Sequence, residues 1–127
     1  MKNHKKIRGI KSIHHIGIIL NSIDIMYDYY LKLGFIKYTE KIHDKNQNVN
    51  VQLMKLDKII IELIEPVDAK SPINGALKKD GRLHHLCYLT ENLDKSIDDL
   101  KNYGAVISSI QCKSAVIENG VVVFLVT

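Results

Sequence analysis

The sequence predicts an α+β domain built from two tandem βαβββ modules, and an internal repeat carries that prediction. Ile13–Asp24 and Leu83–Asp94 align without a gap at an offset of 70 residues, and each stretch contains a histidine doublet. At the same offset Gly34 falls on Gly104, so the register holds through most of a unit. A length of 127 residues suits one hydrophobic core. We therefore expect one domain whose two halves share a plan.

Module one is predicted at about residues 11–66. Its opening strand of β-branched and apolar residues is followed by Asn21-Ser22, a polar step suited to capping a helix. Apolar residues then recur at three- and four-residue spacing until Gly34, a residue typical of helix ends. Three more strands complete the module, and Pro66 ends the last of them. These strands are predicted at Phe35–Ile42, Val49–Leu56 and Ile59–Ile64.

A linker helix at about residues 71–81 should join the halves. Ser71-Pro72 is typical of a helix start, and Gly81 of a helix end. Module two, at about 82–127, repeats the opening strand at Leu83–Thr90 and the helix that follows it, and then has strands at about Ala105–Gln111 and Val121–Val126. The counterpart of Ile59–Ile64 would follow Thr127, so the last strand of module two is missing from residues 1–127.

Composition narrows the class of protein. An apolar content of 46% fits a globular domain, and no apolar run approaches the roughly 20 residues that span a bilayer. The N-terminal arm lacks the apolar core of a signal peptide, so we expect a cytoplasmic protein with no membrane partner. The net charge of +4 comes from dispersed lysines, which gives no support for nucleic-acid binding. Cys87 and Cys112 are expected to be free thiols.

Side-chain alternation gathers three polar residues on one face of the predicted sheet. In the first strand the more apolar face is formed by Ile16, Ile18 and Leu20. This face should pack on the helix, which leaves His15 on the opposite, concave face. The repeat places His85 equivalently. The aliphatic odd-numbered residues of Ile59–Ile64 force Glu62 onto the same concave side.

Two imidazoles and a carboxylate are a plausible ligand set for a divalent transition metal such as zinc, cobalt, nickel, manganese or iron. A carboxylate in an aliphatic strand is costly to bury unless it is paired or bound to a cation. We therefore predict that His15, Glu62 and His85 bind a metal. The first histidine of each doublet, His14 and His84, is expected to pack or to support the ligands.

Two further residues are predicted to line the cavity. Cys87 shares the face of His85, and a small buried hydrophobe describes it better than a thiolate ligand. Gln52 is assigned to the cavity as well, although the residues alone leave a solvent position open.

These segments resemble the glyoxalase and bleomycin-resistance superfamily, whose members chelate vicinal oxygens, and among them methylmalonyl-CoA epimerases and lactoylglutathione lyases. The resemblance is carried by Ile13–Ile18, Ile61–Pro66, Ser71–Ile73 and Leu83–Leu86 together. It implies paired βαβββ modules forming a curved mixed sheet around a central metal cavity, commonly in a homodimer. It also implies His15, Glu62 and His85 as three metal ligands. A fourth ligand, a Glu of the eighth strand, has no counterpart in residues 1–127.

The resemblance implies a metal-dependent isomerase or lyase that acts on a small carbonyl or acyl-CoA substrate by stabilising an enolate. Glu40, on the second predicted strand, is the candidate base. Two alternatives stay open. One is a protein that sequesters a small molecule without chemistry, as antibiotic-resistance members do. The other is a copy whose eighth strand is lost or supplied by a partner chain.

Overall fold

The computed structural model describes residues 6–78, 83–108, 112–114 and 120–126. It has a mixed α+β fold with a mixed sheet and three helices. In chain order the elements are β1 Ile10–Ile19, α1 Ile23–Lys32, β2 Ile36–Lys37, β3 Ile42–Asp44, β4 Val49–Leu56, β5 Ile59–Pro66, α2 Asn74–Lys78, β6 Leu83–Thr90, α3 Leu93–Asn102, β7 Val106–Ile107, β8 Cys112–Lys113, β9 Val121–Val122 and β10 Leu125–Val126.

The main sheet has the order β2-β4-β5-β1-β6, and β3 pairs with β4 beside β2. β1 is the last strand but one in this order and pairs parallel with β5 on one side and antiparallel with β6 on the other. The first strands of the two sequence repeats are therefore direct neighbours. This pairing brings the two histidine doublets to the same part of the sheet.

Both long helices begin and end at the residues that the sequence predicts. Ser22 accepts a hydrogen bond from the backbone N–H of Ile25, and Asn92 accepts one from that of Lys95. Gly34 and Gly104 follow α1 and α3 with φ of 106° and 96°, the left-handed conformation that ends a helix without steric cost to glycine.

The core of module one has two layers, one on each face of the sheet. On one face Met54, Ile61 and Leu63 pack against α1 with Leu20 and Ile23. On the other face Ile19, Val49, Val51 and Ile64 pack against Ile73 and the short helix α2. Glu62 lies between Ile61 and Leu63 in sequence and so projects from the face that α2 covers.

The predicted strand Phe35–Ile42 is observed as two short strands, β2 and β3. The backbone N–H groups of Tyr38 and Thr39 both donate to the carbonyl of Leu53, and the Thr39 hydroxyl accepts from the N–H of Leu53. A side chain thus replaces a backbone partner there, and the ladder is interrupted before Glu40.

Module two departs further from the prediction. Within the described ranges, β7 pairs with β10 and β8 with β9 as two separate two-stranded ladders, and neither joins the main sheet. Among the described strands of module two, β6 is therefore the one that joins the main sheet. The predicted strand Ala105–Gln111 is observed only at β7, with residues 109–111 outside the described ranges. The predicted helix end at Gly81 lies outside them too.

No helix in the described part of the chain is both long enough and apolar enough to cross a membrane.

Candidate metal centre

Three strands bring His15, Glu62 and His85 together. Gly17 of β1 is the register partner of Glu62 on β5 and also of His85 on β6, while His15 pairs with Cys87. The two histidines and the carboxylate therefore project from adjacent positions of neighbouring strands. His15 and Glu62 are 4% and 7% exposed, and His85 is partly buried.

The donor atoms of these residues, which we call the trio, form a nearly equilateral triangle. Nε2 of His15 lies 3.1 Å from Nε2 of His85 and 3.3 Å from Oε1 of Glu62, and Nε2 of His85 lies 3.4 Å from the same oxygen. Ligands that sit about 2.0–2.2 Å from one metal in tetrahedral or octahedral arrangement are about 2.9–3.5 Å apart. The spacing of the trio therefore fits a shared divalent ion.

Gly17 makes room for the trio. A Cβ atom at this position would lie 2.3 Å from Cε1 and 2.5 Å from Nδ1 of His85, closer than real Cβ contacts. The His85 ring thus lies directly over the backbone of β1. Alternation along β1 places Gly17 on the same face as His15, and a glycine inside a strand is a signal that another group approaches the backbone closely.

The electrostatics of the trio are those of a strong buried ion pair. Burial opposes protonation of His15, but hydrogen bonds to Cys87 and Glu62 outweigh it and raise the pKa of His15 to about 9. Burial likewise raises the pKa of Glu62, but hydrogen bonds from His15 and His85 outweigh it and lower that pKa to about 2. Without a metal, the carboxylate is therefore ionised and held by a protonated His15.

The first histidine of each doublet contacts the second through its ring. Nδ1 of His14 lies 2.8 Å from Nδ1 of His15, and Nδ1 of His84 lies 2.7 Å from Nδ1 of His85. Burial, followed by the charge of the neighbouring ring, lowers the pKa of both His14 and His84. The trio is therefore flanked by two imidazoles that favour the neutral form.

Cys87 and Phe124 also lie near the trio. Cys87 is a free, partly buried thiol, and it forms a second cluster of possible metal ligands with His14 and His15. The ring of Phe124, from the segment between β9 and β10, contacts His85 edge to face with centroids 5.6 Å apart. Sequence reasoning missed Phe124, because no pattern in the sequence links that segment to β6.

Glu40 and Gln52 lie on the other side of the sheet from the trio. Gln52 is the register partner of Leu63, which packs under α1, so it lies on the opposite face of the sheet from Glu62 and donates to the carbonyl of Thr39. Glu40 pairs with Lys37 and lines, with Gln52 and α1 residues, a cavity of about 340 Å³ on that helix side. The geometry gives no support to Glu40 as a base at the trio.

The side of the trio next to β4 is apolar. Leu53 is the register partner of Glu62 and is fully buried. Beyond it on the same face lies the aliphatic layer that Ile73 and α2 cover. Such walls exclude water from one side of the site and strengthen electrostatic interactions within it.

Most of the chain matches the model of a known protein family. Residues 14–120 match the model of the glyoxalase/bleomycin resistance protein/dioxygenase superfamily. Two curated relatives are the protein YqjC of Bacillus subtilis (strain 168), 31% identical over 71% of this chain, and the mitochondrial methylmalonyl-CoA epimerase of Bos taurus, 26% identical over 80%. The chain spans 65% and 59% of their respective lengths, less than two thirds of each.

Solved structures show the same fold. The protein BH1468 from Bacillus halodurans C-125 superposes with a TM-score of 0.78 at 25% identity, over 89% of this chain and 82% of that one. A variant of the Streptomyces coelicolor methylmalonyl-CoA epimerase, in complex with 2-nitronate-propionyl-CoA, superposes with a TM-score of 0.73 at 22% identity, over 84% and 79%.

Proposed function

Because the chain belongs to the glyoxalase/bleomycin resistance protein/dioxygenase superfamily, we propose that it is a metal-dependent isomerase of the methylmalonyl-CoA epimerase type. A lyase of the glyoxalase type is the neighbouring possibility within the same chemistry. The observation that carries the proposal is the buried triangle of His15, Glu62 and His85, whose donor atoms have the spacing of ligands around one ion.

The donor set suits zinc, cobalt, nickel, manganese or iron better than calcium or magnesium, since two of three donors are imidazole nitrogens. Three protein ligands would leave coordination positions open. A divalent ion bound there would supply positive charge beside a substrate carbonyl, which makes the adjacent C–H bond more acidic.

The residues of the chain have separate tasks in this proposal. His15 and His85 offer nitrogen lone pairs, and Glu62 offers a negative charge that offsets part of the charge of the ion. Leu53 and the aliphatic layer beside it keep water from the inner side of the site. The substrate class, a small acyl-CoA thioester or another carbonyl compound, is inferred from the relatives, whose names and complexes specify acyl-CoA molecules.

A second candidate function is the sequestration of a small molecule without chemistry. The observation that favours it is that Glu40, the candidate base, lies with Gln52 on the other side of the sheet from the trio. A site in which no base reaches the C–H bond of the ligand could bind a carbonyl compound and leave it unchanged.

Two measurements separate these functions. Elemental analysis of protein purified without chelator should find about one divalent ion per chain, lost in His15→Ala and in Glu62→Ala and retained in His43→Ala, a histidine outside the trio. Methylmalonyl-CoA in deuterated water should then exchange its C2 proton, followed by NMR, only with the metal-loaded wild type. Metal binding without exchange would select sequestration, and no metal under loading conditions would overturn the metal centre.

A further inference from the structure

The two histidine doublets share a geometry that the metal-ligand assignment does not use. In each doublet the second histidine, His15 or His85, contributes its Nε2 atom to the trio. Its Nδ1 atom lies within 2.8 Å of Nδ1 of the first histidine. Neighbours in a regular strand point to opposite faces, so such contacts require a local departure from the strand.

β-Bulges provide that departure in both strands. The pairing of β1 with β6 shifts between Ile13 and His15, where β1 contributes the extra residue His14. It shifts again between Gly17, which pairs with His85, and Ile18, which pairs with Leu83. His84 is therefore the extra residue of β6. A bulge turns its two residues toward the same side of the strand, which allows their rings to meet. The device occurs twice, once in each repeat.

Metal binding through Nε2 determines which ring donates and which accepts in the contacts between Nδ1 atoms. An imidazole that gives its Nε2 lone pair to a metal carries its proton on Nδ1. Nδ1 of His15 and of His85 must then donate. The acceptors are the Nδ1 lone pairs of His14 and His84, each of which must carry its own proton on Nε2.

We propose that His14 and His84 are positioning residues, which fix the tautomer and ring orientation of His15 and His85 by accepting a hydrogen bond from Nδ1. This inference rests on the proposed metal function of the trio. Partners of this kind raise the basicity of a metal-bound imidazole, and their loss costs about 10–100-fold in metal affinity. Because the preceding residue supplies the accepting imidazole, each doublet contains both a metal ligand and its hydrogen-bond partner.

The test compares acceptor-retaining and acceptor-free replacements in the full chain, with Zn²⁺ as the probe. His14→Asn keeps an acceptor near the position of Nδ1, whereas His14→Leu fills similar space without one; His84→Asn and His84→Leu repeat the pair. We expect Zn²⁺ affinity in competition with a chromophoric chelator to fall about 10–100-fold in both Leu variants and to recover most of this in both Asn variants. His43→Leu is the matched control and should bind as the wild type does.

Nitrogen-15 NMR of the zinc-loaded wild type gives an independent readout. Protons on Nδ1 of His15 and His85 should be visible and protected from exchange, and each should lose protection in the Leu variant of its partner only. Folding is checked by circular dichroism of each variant.

The outcomes separate the two levels of the proposal. A wild type that binds no Zn²⁺ overturns the metal function and this inference together. A zinc-binding wild type whose Leu variants bind equally well, or whose Asn variants lose as much affinity as the Leu variants, overturns the positioning role alone. Two zinc ions per chain, with one lost in Cys87→Ala, would also overturn it, because His14 would then be a ligand in the second cluster with His15 and Cys87.

Discussion

At the scale of single residues, Gly17 shows how a side chain that is absent can define a site. Its missing Cβ leaves the space that the His85 ring occupies. In Gly17→Ala the new Cβ would lie 2.3 Å from Cε1 of His85, so the ring must move out of the trio. We expect Zn²⁺ affinity to fall at least as far as with the loss of a supporting hydrogen bond, about 10–100-fold.

Gly75→Ala is the matched control for this change. Gly75 lies in α2, where an added Cβ would meet nothing within 4 Å. Isothermal titration of both variants with Zn²⁺ makes the comparison, and unfolding in urea reports any general damage. Equal affinity in Gly17→Ala and the wild type would show that the His85 ring need not lie over β1 to bind metal.

The pH dependence of metal binding follows from the pKa of His15. Since this pKa is raised to about 9, His15 is protonated at neutral pH in the metal-free protein and must release its proton to become a ligand. We expect affinity to rise about tenfold per pH unit from pH 7 and to level off near pH 9. Zinc titrations in buffers of different ionisation enthalpy measure the released proton; binding that releases none would contradict the assignment of His15.

The metal-free protein should respond to pH in the opposite sense. The raised pKa of His15 stabilises the fold fully below about 6.5, and this contribution is lost as pH rises through 9. The lowered pKa of Glu62 stabilises it above about 4.5, and this contribution is lost as pH falls through 2. Between pH 7 and 9, metal affinity should therefore increase while the stability of the metal-free protein declines.

At the scale of the secondary-structure elements, Glu65 ties the start of α1 to the end of β5. Its carboxylate accepts from the backbone N–H of Ile23 at 3.0 Å and lies near Asn50 and Lys41. Glu65→Ala would leave the first turn of α1 without this acceptor. We expect the free energy of unfolding to fall by about 1–2 kcal/mol, as for the loss of a helix cap.

Urea unfolding measures this loss, with Glu91→Ala as the control. Glu91 pairs with Lys11, and both side chains are well exposed, so its removal should cost no more than about 0.5 kcal/mol. If the two variants were equally stable, the contact between Glu65 and Ile23 would contribute nothing beyond a surface charge.

The elements also show why side-chain alternation grouped the three residues of the trio but did not decide the face of Gln52. His15, His85 and Glu62 follow from the repeat and from alternation within single strands, which need no knowledge of pairing. The face of Gln52 depends on how β4 pairs with β5. The two-residue turn Asp57-Lys58, with Asp57 at φ of 53°, sets Leu56 opposite Ile59 and thereby Gln52 opposite Leu63. Reading that turn in the sequence would have placed Gln52 correctly.

The bulges at His14 and His84 lay beyond such reasoning. A bulge is a property of two paired strands, and the sequence of either strand alone does not reveal the extra residue. The interruption at Thr39 has a similar origin, because the partner of its hydroxyl, the N–H of Leu53, is distant in sequence.

At the scale of the whole molecule, the repeat in sequence is more regular than the repeat in structure. The strand and helix that open each module match, down to their capping residues and closing glycines. The later strands differ, since β4 and β5 join the main sheet while β7–β10 form separate short ladders in the described ranges. Patterns within short stretches of sequence predicted the opening strand and helix of each module. The pairing of the later strands depends on contacts between residues that are distant in sequence.

One surface of the molecule favours the homodimer that the family resemblance implies. Ile13 pairs with Tyr88, and Leu86 lies next to them on β6; these side chains are 52%, 51% and 44% exposed. Among the described strands β6 pairs only with β1, so this apolar patch borders an edge of the sheet. Exposed apolar patches at sheet edges are typical sites of association. We expect a second copy of the chain to cover it.

Sedimentation velocity over a range of micromolar concentrations tests this expectation. The wild type should sediment with twice the chain mass, and Tyr88→Lys should shift it toward the monomer by placing a charge in the patch. Ile25→Lys, at an isoleucine of α1 that is 72% exposed, is the control and should leave the dimer intact. A monomeric wild type would refute the dimer. If Tyr88→Lys and Ile25→Lys dissociated the dimer equally, the patch on β6 would not be the interface. The added charge alone, and not its position on β6, would then weaken association.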